Sequence, residues 1–485
     1  MWEPVIGLEV HAQMLTRTKM FCRCRNRYGD PPNTNVCPVC LGYPGSLPVP
    51  NRTAIEMALR TALALHCTIH LDSEFSRKNY FYPDLPKNYQ ISQYDRPLAT
   101  GGWLEFRVDD TVRRVRLRRL HIEEDAGKSL HEGFPDSDRM TYLDFNRCGT
   151  PLMEIVSEPE IRSPREAAEY LRALRQLLLY LGVCDGNMEQ GSLRCDANIS
   201  LRRPGDPVPT YKVELKNLNS FRFLQKALEY EVRRQTRLLE SGQTPVQETR
   251  LWNEREQRTE PMRTKEEAHD YRYFPDPDLI EVHIDRDWLE SLKATLPELP
   301  LARWQRFCTA YGLPAHDADR LTANPRVADY FEAVVARAPY PKRVANWITS
   351  ELFRHMEFET GAPPETVPPD HLAELVEMLA QGEITGAVAK EVFELMVQSG
   401  SPPRAIVEER GLQAVSDESQ ITAWVDEVLA AHPQQVAQYR AGKTKLFGFF
   451  MGQVMRRAGG RADPQKVRAV LTQRLQAEVA STTRD

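Results

Sequence analysis

Glu9 and His11 stand two residues apart in Val5-Ile6-Gly7-Leu8-Glu9-Val10-His11. Alternation with period two puts them together on one strand face, with Ile6, Leu8 and Val10 on the other. The pattern recurs in His121-Ile122-Glu123-Glu124-Asp125, in Cys195–Leu201 around Asp196, and in Tyr211–Lys216 around Glu214. In the second of these, alternation sets Glu124 opposite Glu123. A fifth segment, Leu152-Met153-Glu154-Ile155-Val156, departs from the rule, because Glu154 shares its face with Leu152 and Val156. If these strands are neighbours, one sheet face collects carboxylates that repel one another. Two unit charges ~4 Å apart interact by roughly 4 kcal/mol at an effective dielectric of ~20. Such a face calls for divalent cations, and magnesium-bound polyphosphate is the commonest chemistry that requires one. Each strand taken alone is equally satisfied by a plain solvated side.

Cys22-x-Cys24, twelve residues, then Cys37-Pro38-Val39-Cys40 is a second constellation. Two close cysteine pairs across a loop rich in Gly, Asp, Pro and Asn suit a closed, structural tetrahedral zinc site. Metal binding would give shape to a loop with few apolar residues of its own. The single residue between Cys22 and Cys24 is shorter than the usual spacing, and free thiols are the alternative. Gly127-Lys128-Ser129 imitates a phosphate-binding loop, but position 122, where the first glycine belongs, is Ile122. ATP would therefore bind through metal and scattered donors. Lys78, Tyr80, Tyr82 and Lys87 could supply ammonium groups and aromatic walls, or be ordinary core tyrosines and surface lysines. Cys148, Cys184 and Cys195 have no base near them in sequence and read as buried thiols.

These groups sit in a chain of 485 residues, 41% hydrophobic and 27% charged, long enough for about three domains. No run approaches the ~18–20 apolar residues of a membrane span. Charged residues at Glu3 and Glu9 leave no signal peptide, and nine cysteines without even spacing suit a reducing compartment, so a cytoplasmic protein is expected. The net charge of −5 hides an uneven distribution. From Arg440 to Asp485 there are ten Lys/Arg against three Asp/Glu, +7 over 46 residues, among them Lys443, Lys445, Arg456 and Arg457. The run Val112–Arg119 puts Arg114, Arg116 and Arg118 on one face if it is a strand. Such patches bind phosphate backbones or are simply solvated.

Residues 1–292 read as short alternating strands with turn signals and two clear helices. One opens at Ser163-Pro164-Arg165-Glu166, an N-cap serine, a proline at the first helical position and a capping-box glutamate, and stops at Gly182. The other spans about Ser220 to Ser241, with Phe221, Leu224, Leu228 and Val232 along its stripe. Beyond residue 292 the pattern is helical, in Val327–Ala338, Arg343–His355, His371–Leu379 and Ala387–Gln398. After Gly411 a small helical, basic tail follows.

Several longer segments are familiar: Gly7–His11, Tyr80–Lys87 with Tyr89–Gln93, Glu123–Lys128, Pro151–Ser157, Glu214–Ser220, Asp270–Asp278, Gly386–Val392 and Gly448–Met455. Together they resemble the B subunits of bacterial aspartyl/glutamyl-tRNA amidotransferases, and the tail resembles that family's YqeY-like region. The resemblance covers nearly the full chain. It implies an α+β fold: a glutamine-synthetase-like catalytic domain on an antiparallel sheet over 1–292, with the zinc loop at 22–40. An all-helical domain over 293–405 and a tRNA-binding tail over 406–485 would follow. It also implies the reaction, in which ATP phosphorylates the side-chain carboxylate of Glu-tRNA(Gln) or Asp-tRNA(Asn) and ammonia then displaces phosphate.

On that reading Glu9, His11, Glu123 and Glu154 are magnesium ligands or their immediate supports, with Glu124, Asp196 and Glu214 as further candidates. The chain carries no Gly-x-Ser-x-Gly and no serine-rich amidase segment, so ammonia must come from a partner. The family supplies an amidase (A) subunit and a small (C) subunit, and a non-discriminating synthetase is a further candidate partner. Two other readings stand beside it: a carboxylate–amine ligase acting on a small molecule, and a zinc-containing RNA-binding protein without catalysis.

Overall fold

The computed structural model describes residues 2–263, 270–357 and 361–477. The basic Arg484 and the acidic Glu478 and Asp485 of the tail count lie outside them. The chain divides into two compact units, one ending at Arg303 and one beginning at Trp304.

The first unit is built on a ten-stranded sheet. Its order from one edge is Arg258–Arg263, Glu248–Asn253, Val213–Lys216, Leu193–Arg202, Glu3–Gln13, Pro151–Ser157, Thr111–Glu124, Ala99–Thr100 and Thr68–Ile69, with Trp103–Val108 paired to Thr111–Glu124 as a hairpin. The Val213–Lys216 and Glu248–Asn253 pair is parallel and the other pairings are antiparallel. The strand at Thr111–Glu124 joins two segments that sequence alternation separates. Its outward arginines are each matched by an acid: Arg114 by Glu105, Arg116 by Glu160 and Arg118 by Glu158. The cationic run is thus largely neutralised in place.

One face of the sheet is apolar. Ile6, Leu8 and Val10 meet Ile122, Ile155, Ala197 and Ile199 there, under Tyr170, Leu171, Leu174 and Leu178 of the helix Pro164–Tyr180. That helix starts as its sequence dictates: the Glu166 backbone N–H donates to Ser163 Oγ at 3.1 Å, and Pro164 takes the first turn. The Glu166 carboxylate reaches back to accept from the Arg162 backbone at 2.8 Å, one residue beyond the cap. Gly182, at φ +66°, ends it in the left-handed region. The helix Phe221–Glu240 is capped the same way, with the Phe223 N–H on Ser220 Oγ.

That second helix is pinned by a buried charge network. Glu231 is fully buried and accepts from Arg234, Gln235 and Thr259, with Arg250 at 3.3 Å. Glu231→Ala leaves Glu248 to pair with both Arg234 and Arg250 and strips Gln235 and Thr259 of their acceptor, and should cost about 3 kcal/mol, read from the midpoint of urea unfolding. The second unit is helical and holds two hydrophobic cores, one around Phe331, Ile348 and Phe393 and one around Ile421, Phe450 and Leu471. Thr385 donates to the Gly460 carbonyl at 2.5 Å between them.

Candidate active site and metal loop

The polar face of the sheet, opposite the core, is where the distant carboxylates meet. Register pairs His11 with Glu154 and Glu154 with His121, so one rung crosses three strands with all three side chains on the same side. Glu123 lies two residues beyond His121 on that face. Ligand atoms of His11, Glu123 and Glu154 lie within 4.8 Å of one another. His11 Nε2 is 3.5 Å from Glu154 and 3.6 Å from Glu123. His121 Nε2 is 3.1 Å from Glu154 and 3.7 Å from Glu123.

Burial disfavours every charge here, and the partners decide the outcome. Burial works against a charged His11 ring, but the Glu154 hydrogen bond and charge hold its pKa above the usual range. His121, against burial, is raised to about 9 by Glu154 and Glu123. Burial would raise Glu154, yet His121 and His11 pull it well below the usual carboxylate range, and His121 likewise lowers Glu123. Glu9, one rung away, is raised by burial and by the Glu154 charge, and Asn198 donates to it at 2.9 Å. Glu123 and Glu154 stay ionised beside two imidazoles whose protonated form they favour, and a divalent cation would take the place of the His11 proton, with the ring nitrogen and the two carboxylates as donors.

The other sequence candidates are placed differently. Asp196 and Glu214 share the face but are bridged by Lys216, at 2.6 and 3.1 Å. Glu124 turns away from Glu123. It pairs with Lys87 and accepts from the Ile91 backbone at 3.1 Å. Lys87 is thereby committed to that pair. Lys78 lies over the rings of Tyr80 and Tyr271, at 5.6 and 4.9 Å. Tyr80, Tyr271 and Tyr273 form a chain of edge-on rings, and Tyr273 stacks on Tyr94 at 4.0 Å. Burial, then the Glu123 charge, raises the phenols of Tyr80 and Tyr273. Tyr82, 55% exposed, is at the outer end.

Four residues of this face are not among the site candidates read from the sequence: Gln13, His121, Asp125 and Arg194. Alternation alone would have put His121 beside Glu123 and Arg194 beside Asp196. A lone histidine or arginine in a strand carries no further signal.

The four thiols of Cys22, Cys24, Cys37 and Cys40 also converge within 4.8 Å. Tetrahedral Zn–S bonds of ~2.3 Å put sulfurs ~3.8 Å apart, so the quartet fits that geometry with slight closure. Lys19, fully buried, donates to Cys40 Sγ at 3.6 Å and to the Asn35 carbonyl at 2.7 Å. A hydrogen bond from Cys22 and the Lys19 charge, against burial, lower the Cys40 thiol to about 5. Burial raises Cys24 to about 11. Asn33 and Asn35 zip the loop to residues 143–146 through hydrogen bonds of 2.8–3.1 Å. Cys148, Cys184 and Cys195 are buried.

In the second unit Lys443, Lys445 and Arg456 are exposed, while Arg457 is held by Glu427 at 2.8 Å. Among the described residues no helix is long and apolar enough to cross a membrane.

A sheet face that gathers anions and imidazoles, in a chain that also carries a four-cysteine loop and a basic helical tail, defines a class. Residues 4–290 match the GatB/GatE catalytic domain family and residues 329–475 the GatB domain family. The chain belongs to the GatB family, the B subunits of aspartyl/glutamyl-tRNA amidotransferase, a ligase-type enzyme complex. It is 53% identical over 477 residues to the aspartyl/glutamyl-tRNA(Asn/Gln) amidotransferase B subunit of Persephonella marina, covering 98% of this chain and 99% of that one. It is 52% identical to the corresponding B subunit of Moorella thermoacetica, over 98% of this chain and all of that one.

Proposed function

We propose that this chain uses ATP to activate the side-chain carboxylate of Glu-tRNA(Gln) and of Asp-tRNA(Asn), and passes the acyl phosphate to ammonia. The carboxylate oxygen attacks the γ-phosphorus and the bond to ADP breaks. Ammonia then attacks the carbonyl carbon, phosphate leaves and one proton is lost, giving Gln-tRNA(Gln) or Asn-tRNA(Asn). The observation that carries this reading is the His11–Glu123–Glu154 cluster on the sheet face opposite the core. Those three residues, with Glu9 beside them, would hold a divalent cation, which when bound neutralises charge on phosphoryl oxygens. His121 holds Glu154 in place from the far side of the rung. The half-buried rings of Tyr80 and Tyr273, whose phenols feel the Glu123 charge, would help keep water from an acyl phosphate that it would hydrolyse.

The fold class of this catalytic part is the glutamine-synthetase-like one, over 1–292. A helical domain over 293–405 and a tRNA-binding tail over 406–485 complete the chain, a division supported by the two separate cores of the second unit. Zinc sits in the cysteine loop. An amidase subunit and a small subunit assemble with the chain in the cytoplasm and deliver ammonia, for which the sequence itself has no amidase signature.

The test is ADP release by the assembled complex with Glu-tRNA(Gln), with free glutamate and with uncharged tRNA. Release with the charged tRNA alone is expected. Turnover on free glutamate would instead make the chain a small-molecule ligase. In the tail, reversing Arg456 and Arg457 to glutamate should weaken tRNA binding about tenfold and flatten its salt dependence by a slope of about one. ADP release at saturating tRNA should stay near normal. Arg456 should account for most of the loss, since Arg457 is already countered by Glu427.

A further inference from the structure

The rung that joins His11, Glu154 and His121 has a fourth member. Arg194, on the strand Leu193–Arg202, is the register partner of His11 on the side away from Glu154. It therefore stands on the same face as the cluster. Its guanidinium reaches Asp125, Nη2 to Oδ1 at 3.0 Å. Asp125 follows the strand Thr111–Glu124, and the strands Glu3–Gln13 and Pro151–Ser157 lie between the two residues. The pair thus arches across one end of the site, above Gln13.

Asp125 is fixed independently of Arg194. It is 5% exposed, and its carboxylate accepts from Gln13 Nε2 at 2.8 Å and from the Ala126 N–H at 3.0 Å. Arg147 lies 3.8 Å away and is itself anchored on the carbonyls of Ala126 and Gly127. One carboxylate therefore faces two guanidinium groups. Arg194 is the nearer of the two, at 3.0 Å against 3.8 Å, and stands as a cation at the rim of an anionic cluster. Among the described residues Asp125 is its ion-pair partner, and its side chain remains 35% exposed. A planar fork with donors left over, positioned by a rigid acid, is the group that recognises a phosphoryl oxygen pair.

We infer that Arg194 binds the phosphoryl group in transit, donating to non-bridging oxygens of the γ-phosphate of ATP and then of the acyl phosphate. Asp125 is its positioning residue. The inference rests on the function proposed above. It adds the cationic half of the site: His11, Glu123 and Glu154 would hold the metal, and Arg194 would donate to the phosphoryl oxygens. ADP lacks the group it touches, and that supplies the test.

The experiment compares Arg194→Gln, Arg194→Lys and wild type in the assembled complex, with magnesium. ATPγS and ADP affinities are measured by equilibrium binding, and ADP release by turnover with Glu-tRNA(Gln). Arg194→Gln should lose about a hundredfold or more in kcat. It should weaken ATPγS at least tenfold and leave ADP affinity within twofold of wild type. Arg194→Lys, which keeps the charge and the strand but not the fork, should fall between. Should Arg194→Gln fail to fold, the lysine variant carries the same comparison. ATPγS and ADP weakening in parallel would make Arg194 a structural residue and overturn the inference, as would wild-type ATPγS affinity and turnover. A wild-type complex that releases no ADP with charged tRNA would instead sink the functional reading, and is seen before any variant is made.

Discussion

Glu154→Gln should reduce ATP-dependent amidation by on the order of a thousandfold while leaving tRNA affinity within about twofold of wild type. The substitution keeps volume and shape, so the strand Pro151–Ser157 and its core neighbours Met153 and Ile155 are undisturbed. What it removes is the charge between two imidazoles. Glu154 is the shared partner of His11 at 3.5 Å and His121 at 3.1 Å. With it neutral, neither ring keeps its main anionic partner, and the three-residue donor set loses one of its two carboxylates. Phosphoryl transfer depends on positioned charge more than on covalent help from the protein, so losing one such group strikes the chemical step. The tRNA body is gripped elsewhere on this reading. The check is a pair of measurements on one preparation: ADP release with Glu-tRNA(Gln), and direct tRNA binding. Impaired tRNA binding with ATP use intact would remove Glu154 from the site.

Why Glu154 matters was only half legible in the sequence. Alternation is a local property, so the pairing of Glu9 with His11, and the oddity of Glu154 among Leu152 and Val156, could be read along a single strand. Which strands adjoin is a non-local property. The rung runs from position 194 through 11 and 154 to 121, and no spacing in the chain announces that order. Asp196 and Glu214 satisfied the same alternation rule as Glu9, but Lys216 lies on their face and ties them together. Glu124 was placed opposite Glu123 by alternation, and Lys87 takes it up there. The arginines of Thr111–Glu124 illustrate the same limit. A run of cations is visible in sequence, whereas their acids come from a hairpin partner and from residues 158–160, beyond any local window. Helix starts, by contrast, depend on four consecutive residues, and the caps at Ser163 and Ser220 form as their sequences require.

Stripping metal from the cysteine loop should unfasten it without unfolding the sheet. The loop has little else to hold it: of residues 22–49 only Cys40 is a buried apolar side chain, while Tyr28, Tyr43, Leu47 and Val49 are more than half exposed. Four thiolates around one zinc ion would carry a net charge of about −2, which the fully buried Lys19 directed at Cys40 would partly offset. Replacing Cys37 and Cys40 with serine leaves that ammonium facing neutral groups, removing the metal leaves it the Cys40 thiolate alone, and either change leaves the loop to its own weak packing. Structural zinc sites in small peptides are worth an apparent ~10–16 kcal/mol, far more than this loop can replace. The core of Ile6, Leu174 and Ile155 is a separate cluster and should keep the sheet folded. The expected result is about one zinc per chain in a colorimetric release assay. On chelation, protease should cut within residues 22–49, and ADP release should fall roughly tenfold. That fall follows from connectivity: Asn33 and Asn35 hold residues 143–146, and that segment leads directly into the strand carrying Glu154. Full protease resistance and full turnover at zero zinc would show that the thiols alone hold the loop, and that its order is independent of metal.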